Sequence, residues 1–306
     1  MTNFFMTVLG LICFTSFANP AFDGNSNNND KPKPKEKITT LVKWIMPDSL
    51  NEISGICWVD EQRLACVQDE LGIIFIYNIL SAKIENQIPF ANHGDFESVT
   101  KADDTYYVMR SDGQIFEINT SSKNLSVKQY NIPLDETNDV EGIFYDGTKK
   151  RLLIAIKRAD PQTPAKIKGI YSFDLSTKIM SNNPVYEIDL SNPLIYKEDD
   201  DDDDKNDNKE KEEKKLNETF LPSDIAIHPK TSDIYITDGI HRSLLILDKT
   251  GKIKSHIKLD KDDFPQPEGI TFSSEGDMFI SSEGVKQNGV IAKVTIETNT
   301  KKDKKD

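Results

Sequence analysis

Four short phrases recur at nearly one interval along the chain: Phe96-Glu97-Ser98-Val99, Val140-Glu141-Gly142-Ile143, Ser223-Asp224-Ile225-Ala226 and Pro267-Glu268-Gly269-Ile270. A weaker copy, Ile53-Ser54-Gly55-Ile56, precedes them. Their polar centres fall at residues 54, 97, 141, 224 and 268, in steps of 43, 44, 83 and 44. A repeat of about 40 to 50 residues that holds several strands is the mark of a β-propeller. The spacing therefore predicts an all-β ring of four-stranded blades. It also brings one residue of every repeat to the same place around the axis.

The strand signal between the repeats agrees. The first repeat carries Gly55-Ile56-Cys57-Trp58-Val59, Arg63-Leu64-Ala65-Cys66-Val67, Gly72 to Tyr77 and Lys83 to Pro89. These are β-branched and aromatic runs bounded by Asp, Gly and Asn. The third repeat follows the same plan and finishes its fourth run by Leu190. The fifth supplies only three runs, ending at Ile296, while Ile38 to Trp44 stands unassigned before the first. That early strand is expected to complete the last blade and close the ring. The 83-residue step holds an acidic run, Asp199 to Asp204, and a Lys/Glu tract. Like charges with nothing apolar to bury read as a surface insertion over residues 191–219. Five blades are expected, with six as the alternative.

The propeller is thus placed at residues 38–297. Residues 23–37 read as a flexible Asn/Lys/Pro linker and 298–306 as a charged tail. Residues 1–22 read as a targeting segment: the apolar stretch Phe4 to Ala18 is too short for a spanning helix, and Ser16-Phe17-Ala18 offers small residues at a cleavage site. Export to the periplasm, cell envelope or medium is expected, with an uncleaved membrane tether as the alternative. Beyond the leader only Cys57 and Cys66 remain. If Glu61-Gln62 is the hairpin turn they face each other across adjacent strands, either as a disulfide or as two small buried residues.

Acidic residues number 51 against 38 basic ones, a net charge of −13. Phosphate binding needs clustered Lys and Arg, so nucleic acid is excluded as a partner, and a cation or basic ligand is the natural one. Each repeat phrase opens the first strand of its blade, the strand that lines the channel. Ser54, Glu97, Glu141, Asp224 and Glu268 should converge at one mouth, with Glu52, Asp95 and Asp139 two residues earlier on the same faces. Crowded carboxylates must take up protons or share a cation, and oxygen ligands suit calcium or magnesium. The other reading is architectural, with the acids capping strands or binding backbone amides between blades. A second set follows the second strands and should share the rim: Asp69 and Glu70, Ser111, Lys157, Asp238 and Glu283. Lys157 stands there as a lone base, suited to a salt bridge or to a ligand. No catalytic elbow, P-loop, dinucleotide fingerprint or zinc spacing is present in the sequence.

Taken together, Glu52-Ile53-Ser54-Gly55-Ile56, Val67-Gln68-Asp69-Glu70, Gly94-Asp95-Phe96-Glu97, Asn138-Asp139-Val140-Glu141-Gly142 and Gln266-Pro267-Glu268-Gly269-Ile270 resemble the SdiA-regulated (YjiK-like) family of bacterial propeller proteins. The likeness covers residues 38 to 297 and looks closest to exported or envelope-associated members. Ser223-Asp224-Ile225 departs from the pattern by lacking the glycine, which weakens a ligand role for Asp224. The family looks related to NHL-type and phytase-like propellers. That kinship implies calcium and leaves a metal-assisted phosphoester or ester hydrolase open beside a binding module for a small-molecule or protein ligand. A purely structural interaction module is the third reading, because propellers host all three.

Overall fold

The computed structural model describes residues 35–121, 125–158, 160, 162–196 and 215–299. The leader, residues 23–34 of the linker, residues 197–214 of the insertion and the tail from residue 300 lie outside the described residues.

Among the described residues, twenty-one strands form five antiparallel sheets, one per repeat. Blade 1 runs β2 (Ile53–Asp60), β3 (Arg63–Gln68), β4 (Ile73–Asn78) and β5 (Lys83–Pro89). Blade 2 runs β6 (Phe96–Ala102), β7 (Thr105–Arg110), β8 (Gln114–Asn119) and β9 (Ser126–Asn131). In blade 3, β10 (Val140–Asp146), β11 (Arg151–Ile156) and β12 (Ile167–Asp174) are followed by a broken fourth strand. Its halves, β13 (Ile179–Met180) and β14 (Tyr186–Asp189), pair with opposite ends of β12. Blade 4 is β15 (Pro222–Ile227), β16 (Ile234–Asp238), β17 (Ser243–Leu247) and β18 (Ile253–Lys258). Blade 5 takes β19 (Gln266–Phe272), β20 (Met278–Glu283) and β21 (Val290–Asn299), and β1 (Lys35–Ile45) from the other end of the chain is its outer strand. Ile38 lies opposite Ile296 and Trp44 opposite Ile291, so strand pairing closes the ring as expected. The strand begins three residues earlier than the linker boundary read from the sequence.

The core lies between the blades as five apolar wedges. Phe90, Phe96 and Phe116 fill the wedge between blades 1 and 2 with ring centroids 5.0 to 5.6 Å apart, in edge-on contacts. Met46, Ile53, Phe75, Tyr77 and Phe279 fill the wedge between blades 1 and 5, where the ring closes. Outer strands carry the polar surface; β5 and β9 are largely exposed.

The two cysteines do not face each other. Cys66 lies opposite Ile56 and Cys57 opposite Ala65, because the register shifts by one residue between Trp58 and Asp60. Neighbouring positions on a strand point to opposite faces. Cys57 accordingly enters the wedge toward blade 2 and Cys66 the wedge toward blade 5, both as free thiols. Burial pushes the Cys57 thiol up to about 12.

All five first strands carry the same irregularity near their start. The register skips between Phe96 and Ser98, Val140 and Gly142, Pro222 and Asp224, and Pro267 and Gly269. In β2 it skips within Ile53–Ile56. Such a bulge leaves one residue per blade unpaired. The residue after it sits against the next first strand. A Cβ on Gly55 would come within 2.4 Å of the Ser98 Cα, and one on Gly269 within 2.7 Å of the Ser54 carbonyl oxygen. Replacing Gly55 by Ala is expected to cost on the order of 3 kcal/mol, since the obstacle is backbone that cannot turn aside. Denaturant unfolding should show that loss, whereas Gly147→Ala, whose Cβ meets only the Tyr145 ring at 3.3 Å, should change stability far less.

Candidate functional site at the channel mouth

The bulges decide which residues form the ring. Glu97, Glu141 and Glu268 are the unpaired residues of blades 2, 3 and 5, with Ser54 in the matching place in blade 1. In blade 4 the bulged residue is Ser223, and Asp224 pairs with Thr237. The sequence spacing had placed Asp224 in the ring; the register moves it one position on, to where the other blades hold Gly55, Ser98, Gly142 and Gly269. The ring is therefore three glutamates and two serines.

Asp224 serves the architecture. Its Oδ1 accepts a hydrogen bond from Ser98 Oγ at 2.7 Å and its Oδ2 one from the Ile270 amide at 2.9 Å. Ser98 Oγ in turn accepts the Ile143 amide at 3.1 Å. One buried carboxylate thus ties blade 4 to blades 2 and 5, and through Ser98 to blade 3. Burial drives its pKa up to about 8 against the pull of those donors.

The three glutamates stand at the mouth. Glu141 is 3% exposed and Glu268 9%. Burial raises Glu97 well above the ordinary carboxylate range, with Glu141, Asp95 and Glu268 adding to the rise. Burial and then Glu268 do the same to Glu141. Glu268 is pushed up to about 7, also chiefly by burial. Gly239 makes space for it, since a Cβ there would lie 2.9 Å from Glu268 Oε1. Lys157 is the base that acts on all three. Its Nζ donates to Glu141 Oε1 at 2.7 Å and lies 3.9 Å from Asp139 Oδ2. Burial works to lower the Lys157 pKa, but Glu141, Glu268 and Asp139 outweigh it and hold the ammonium charged.

The second set of rim residues lies at the same end. Asp238 pairs with Pro222, Glu283 with Gln266 and Ile156 with Val140, so the loops after the second strands return to the ring. Several of these side chains have structural partners. Asp238 is fully buried; its Oδ2 accepts the Leu221 amide and its Oδ1 the His241 amide, at 3.0 and 2.8 Å. Asp95 accepts from Ser111 Oγ at 2.6 Å, and Asp139 pairs with Arg158 at 3.4 Å. Glu283 accepts from Gln266 Nε2 at 2.6 Å. Asp69 differs, because its Oδ1 is buried without a hydrogen-bond partner. Burial, followed by Glu52 and Glu283, brings the Asp69 carboxyl up to about 6. Glu52 and Glu70 are solvent-exposed. Between blades 2 and 3 the rim opens into a cleft of about 440 Å³ whose lining includes Asp95, Arg110, Ser111, Asp112 and Asp139.

A family model described as SdiA-regulated matches residues 35–285. The chain belongs to the SdiA-regulated family. No curated protein matches it. Among solved structures, this SdiA-regulated protein is similar to the glutaminyl cyclase of Myxococcus xanthus at 10% identity and a TM-score of 0.54, over 88% of this chain and 100% of that one. The aldose sugar dehydrogenase of Streptomyces coelicolor is similar at 10% identity and a TM-score of 0.48, over 87% and 100%. A streptogramin B lyase is similar at 12% identity and a TM-score of 0.47, over 86% and 98%. At such identities the likeness is one of fold.

Sequence reasoning missed Ser223, Gly239 and Lys168. The first was hidden by the acid beside it, and Gly239 by the rim acid Asp238 that precedes it. Lys168 lies in the run Ile167-Lys168-Gly169-Ile170-Tyr171, where alternation gives no hint of a buried ammonium.

The raised carboxyls set a pH dependence. A group whose folded pKa exceeds its unfolded one binds more protons when native, so its contribution is whole on the acid side and is lost as pH rises through the folded value. Asp224 and Glu268, ordinarily near 4 and raised to about 8 and about 7, spread that loss between about pH 4 and about pH 8. Thermal unfolding should show these two groups lowering the melting temperature as pH rises from about 4 to about 8, with no further effect above that. Asp224→Asn, whose amide oxygen can still accept the Ile270 N–H, should flatten the profile on its alkaline side; an unaltered slope would show that Asp224 does not titrate there.

Proposed function

We propose that this SdiA-regulated propeller is a binding module whose acidic mouth takes a divalent cation, with calcium the first candidate, and through it a further ligand. The observation that carries the reading is the imbalance at the ring: Glu97, Glu141 and Glu268 share one base, Lys157. Charged together they leave an excess of two negative charges, which two protons or one divalent ion can neutralise. The donors fit a hard ion, since the ring offers only carboxylate and hydroxyl oxygen. Glu97, Glu141 and Glu268 would hold it, and Asp69 stands nearby on the rim with an unpartnered oxygen. Among the described residues no three His, Cys, Asp or Glu side chains are already grouped around one point, so the ligand shell is not preformed. The cleft beside Asp95 and Asp139 offers room for the rest of a ligand.

Calcium at millimolar concentration should raise the melting temperature. Saturation about a hundredfold above Kd stabilises by about 2.7 kcal/mol, which corresponds to several degrees for a domain of this size. Glu97→Gln combined with Glu141→Gln should abolish the shift. A melting curve unmoved by calcium or magnesium would overturn the reading and favour a purely architectural role for the acids.

The module is further placed outside the cytoplasm, on the strength of the apolar leader within residues 1–22. Sequencing the amino terminus of the chain from its native host should find Asn19 or Phe22 first. A retained Met1 would instead support the membrane tether.

A further inference from the structure

Lys168 is fully buried, and the cation reading makes no direct use of it. It sits on β12, opposite Ile188 of β14. Its Nζ donates to two successive backbone carbonyls, Lys157 O at 2.6 Å and Arg158 O at 2.7 Å. Its neighbours on β12 grip the same connection further along. The Gly169 amide donates to Asp160 Oδ2 at 3.0 Å, and Tyr171 Oη to Asp160 Oδ1 at 2.7 Å. Three consecutive or near-consecutive positions on one strand therefore fix the loop that leaves β11.

That loop carries the two bases of the blade 3 rim. Lys157 reaches inward to Glu141, and Arg158 reaches outward to Asp139 at 3.4 Å and Glu218 at 3.3 Å. The backbone amides of both residues are also held, by Asp139 O and Asn138 O, each at 2.9 Å. Backbone pairing alone would set the loop's height above the sheet. The two carbonyls take their hydrogen bonds from the Lys168 ammonium, which fixes the position of the residues that bear them. An ammonium with three donors can satisfy two carbonyls at once, which a hydroxyl or a single amide N–H cannot. Burial is the main cause that brings the Lys168 pKa down to about 8, opposed by Glu218 and Asp160. A lysine kept at this expense in the interior has a task that a hydrophobic residue could not perform.

We propose that Lys168 is a positioning residue for the channel mouth: by holding the carbonyls of Lys157 and Arg158 it fixes Lys157 as the internal counter-ion of Glu141. The proposal rests on the reading of the ring as a site only for its functional meaning. The clasp itself can be tested without any cation. A lysine held in an ion pair reacts slowly with acylating reagents, because only the free amine attacks. Acetic anhydride labelling of the full-length protein, mapped by mass spectrometry of its peptides, reads the reactivity of Lys157 directly.

In K168M the clasp is gone and the stem remains. Lys157 should then label about tenfold faster, the equivalent of one lost charge-assisted hydrogen bond. In K168R, which keeps a charge and several donors, Lys157 should stay close to the wild-type rate. Exposed Lys230, paired with Glu275 at 3.0 Å on blades 4 and 5, provides the internal reference. A folded K168M protein, judged by circular dichroism, in which Lys157 labels at the wild-type rate overturns the proposal. Should K168M not fold, K168Q is measured in its place with the same two outcomes. Failure of the cation reading shows separately, as a wild-type protein that ignores calcium while Lys157 labelling still responds to Lys168.

Discussion

At the axis, the backbone of one first strand comes up against the next, and three of the five joins are made by a glycine with no room to spare. Gly55 meets Ser98, Gly142 meets Asp224, and Gly269 meets the Ser54–Ile56 stretch, each at a distance a methyl group would violate or strain. Five blades close into a ring only if these approaches are made. The bulge that precedes each of them turns the strand so that the approach is possible. Where a blade departs from glycine, the side chain does the joining, as Ser98 does for Ile143 and Asp224 does for Ile270. Further down the strands Thr100 and Thr271 repeat the device, accepting the Tyr145 and Trp58 amides at 3.0 and 3.1 Å.

The same geometry produces the acidic mouth. A bulged residue has no partner in the sheet, and its neighbour is committed to the next blade. What remains at each bulge is one side chain at the top of the channel, in a place that is crowded and poorly hydrated. Glutamate at three of the five places therefore yields carboxyls that resist ionisation. Lys157 relieves part of this, and Lys168 holds Lys157 where it can do so. The ring is asymmetric as a result, acidic toward blades 2, 3 and 5 and neutral toward blades 1 and 4.

The architecture was legible in the sequence because the repeat period and the strand runs are local signals that every blade states again. The unassigned strand before the first repeat and the three-run last repeat pointed to ring closure by β1, and Ile38 does lie opposite Ile296. Two errors share one cause. The expected facing of Cys57 and Cys66 and the placing of Asp224 in the ring both assumed an unbroken register, and in both strands one extra residue shifts the partners. The missing glycine in Ser223-Asp224-Ile225 was the clue, since the residue in glycine's place was the aspartate itself. Lys168 left no such trace. Its role depends on a loop from the neighbouring strand folding back over it, a contact with no periodicity to read. The rim acids were legible only as a set: nothing in the sequence marked Asp69 as the one whose buried oxygen lacks a partner.

The central claim is that the mouth exchanges protons for a cation. Isothermal titration of the purified domain with calcium, repeated in two buffers of different ionisation enthalpy, counts the protons released on binding. Carboxyls held above their ordinary range predict release of about one to two protons near neutral pH, falling toward none as the solution is made alkaline. Calcium binding with no proton release at any pH, or no binding heat in either buffer, would contradict the account.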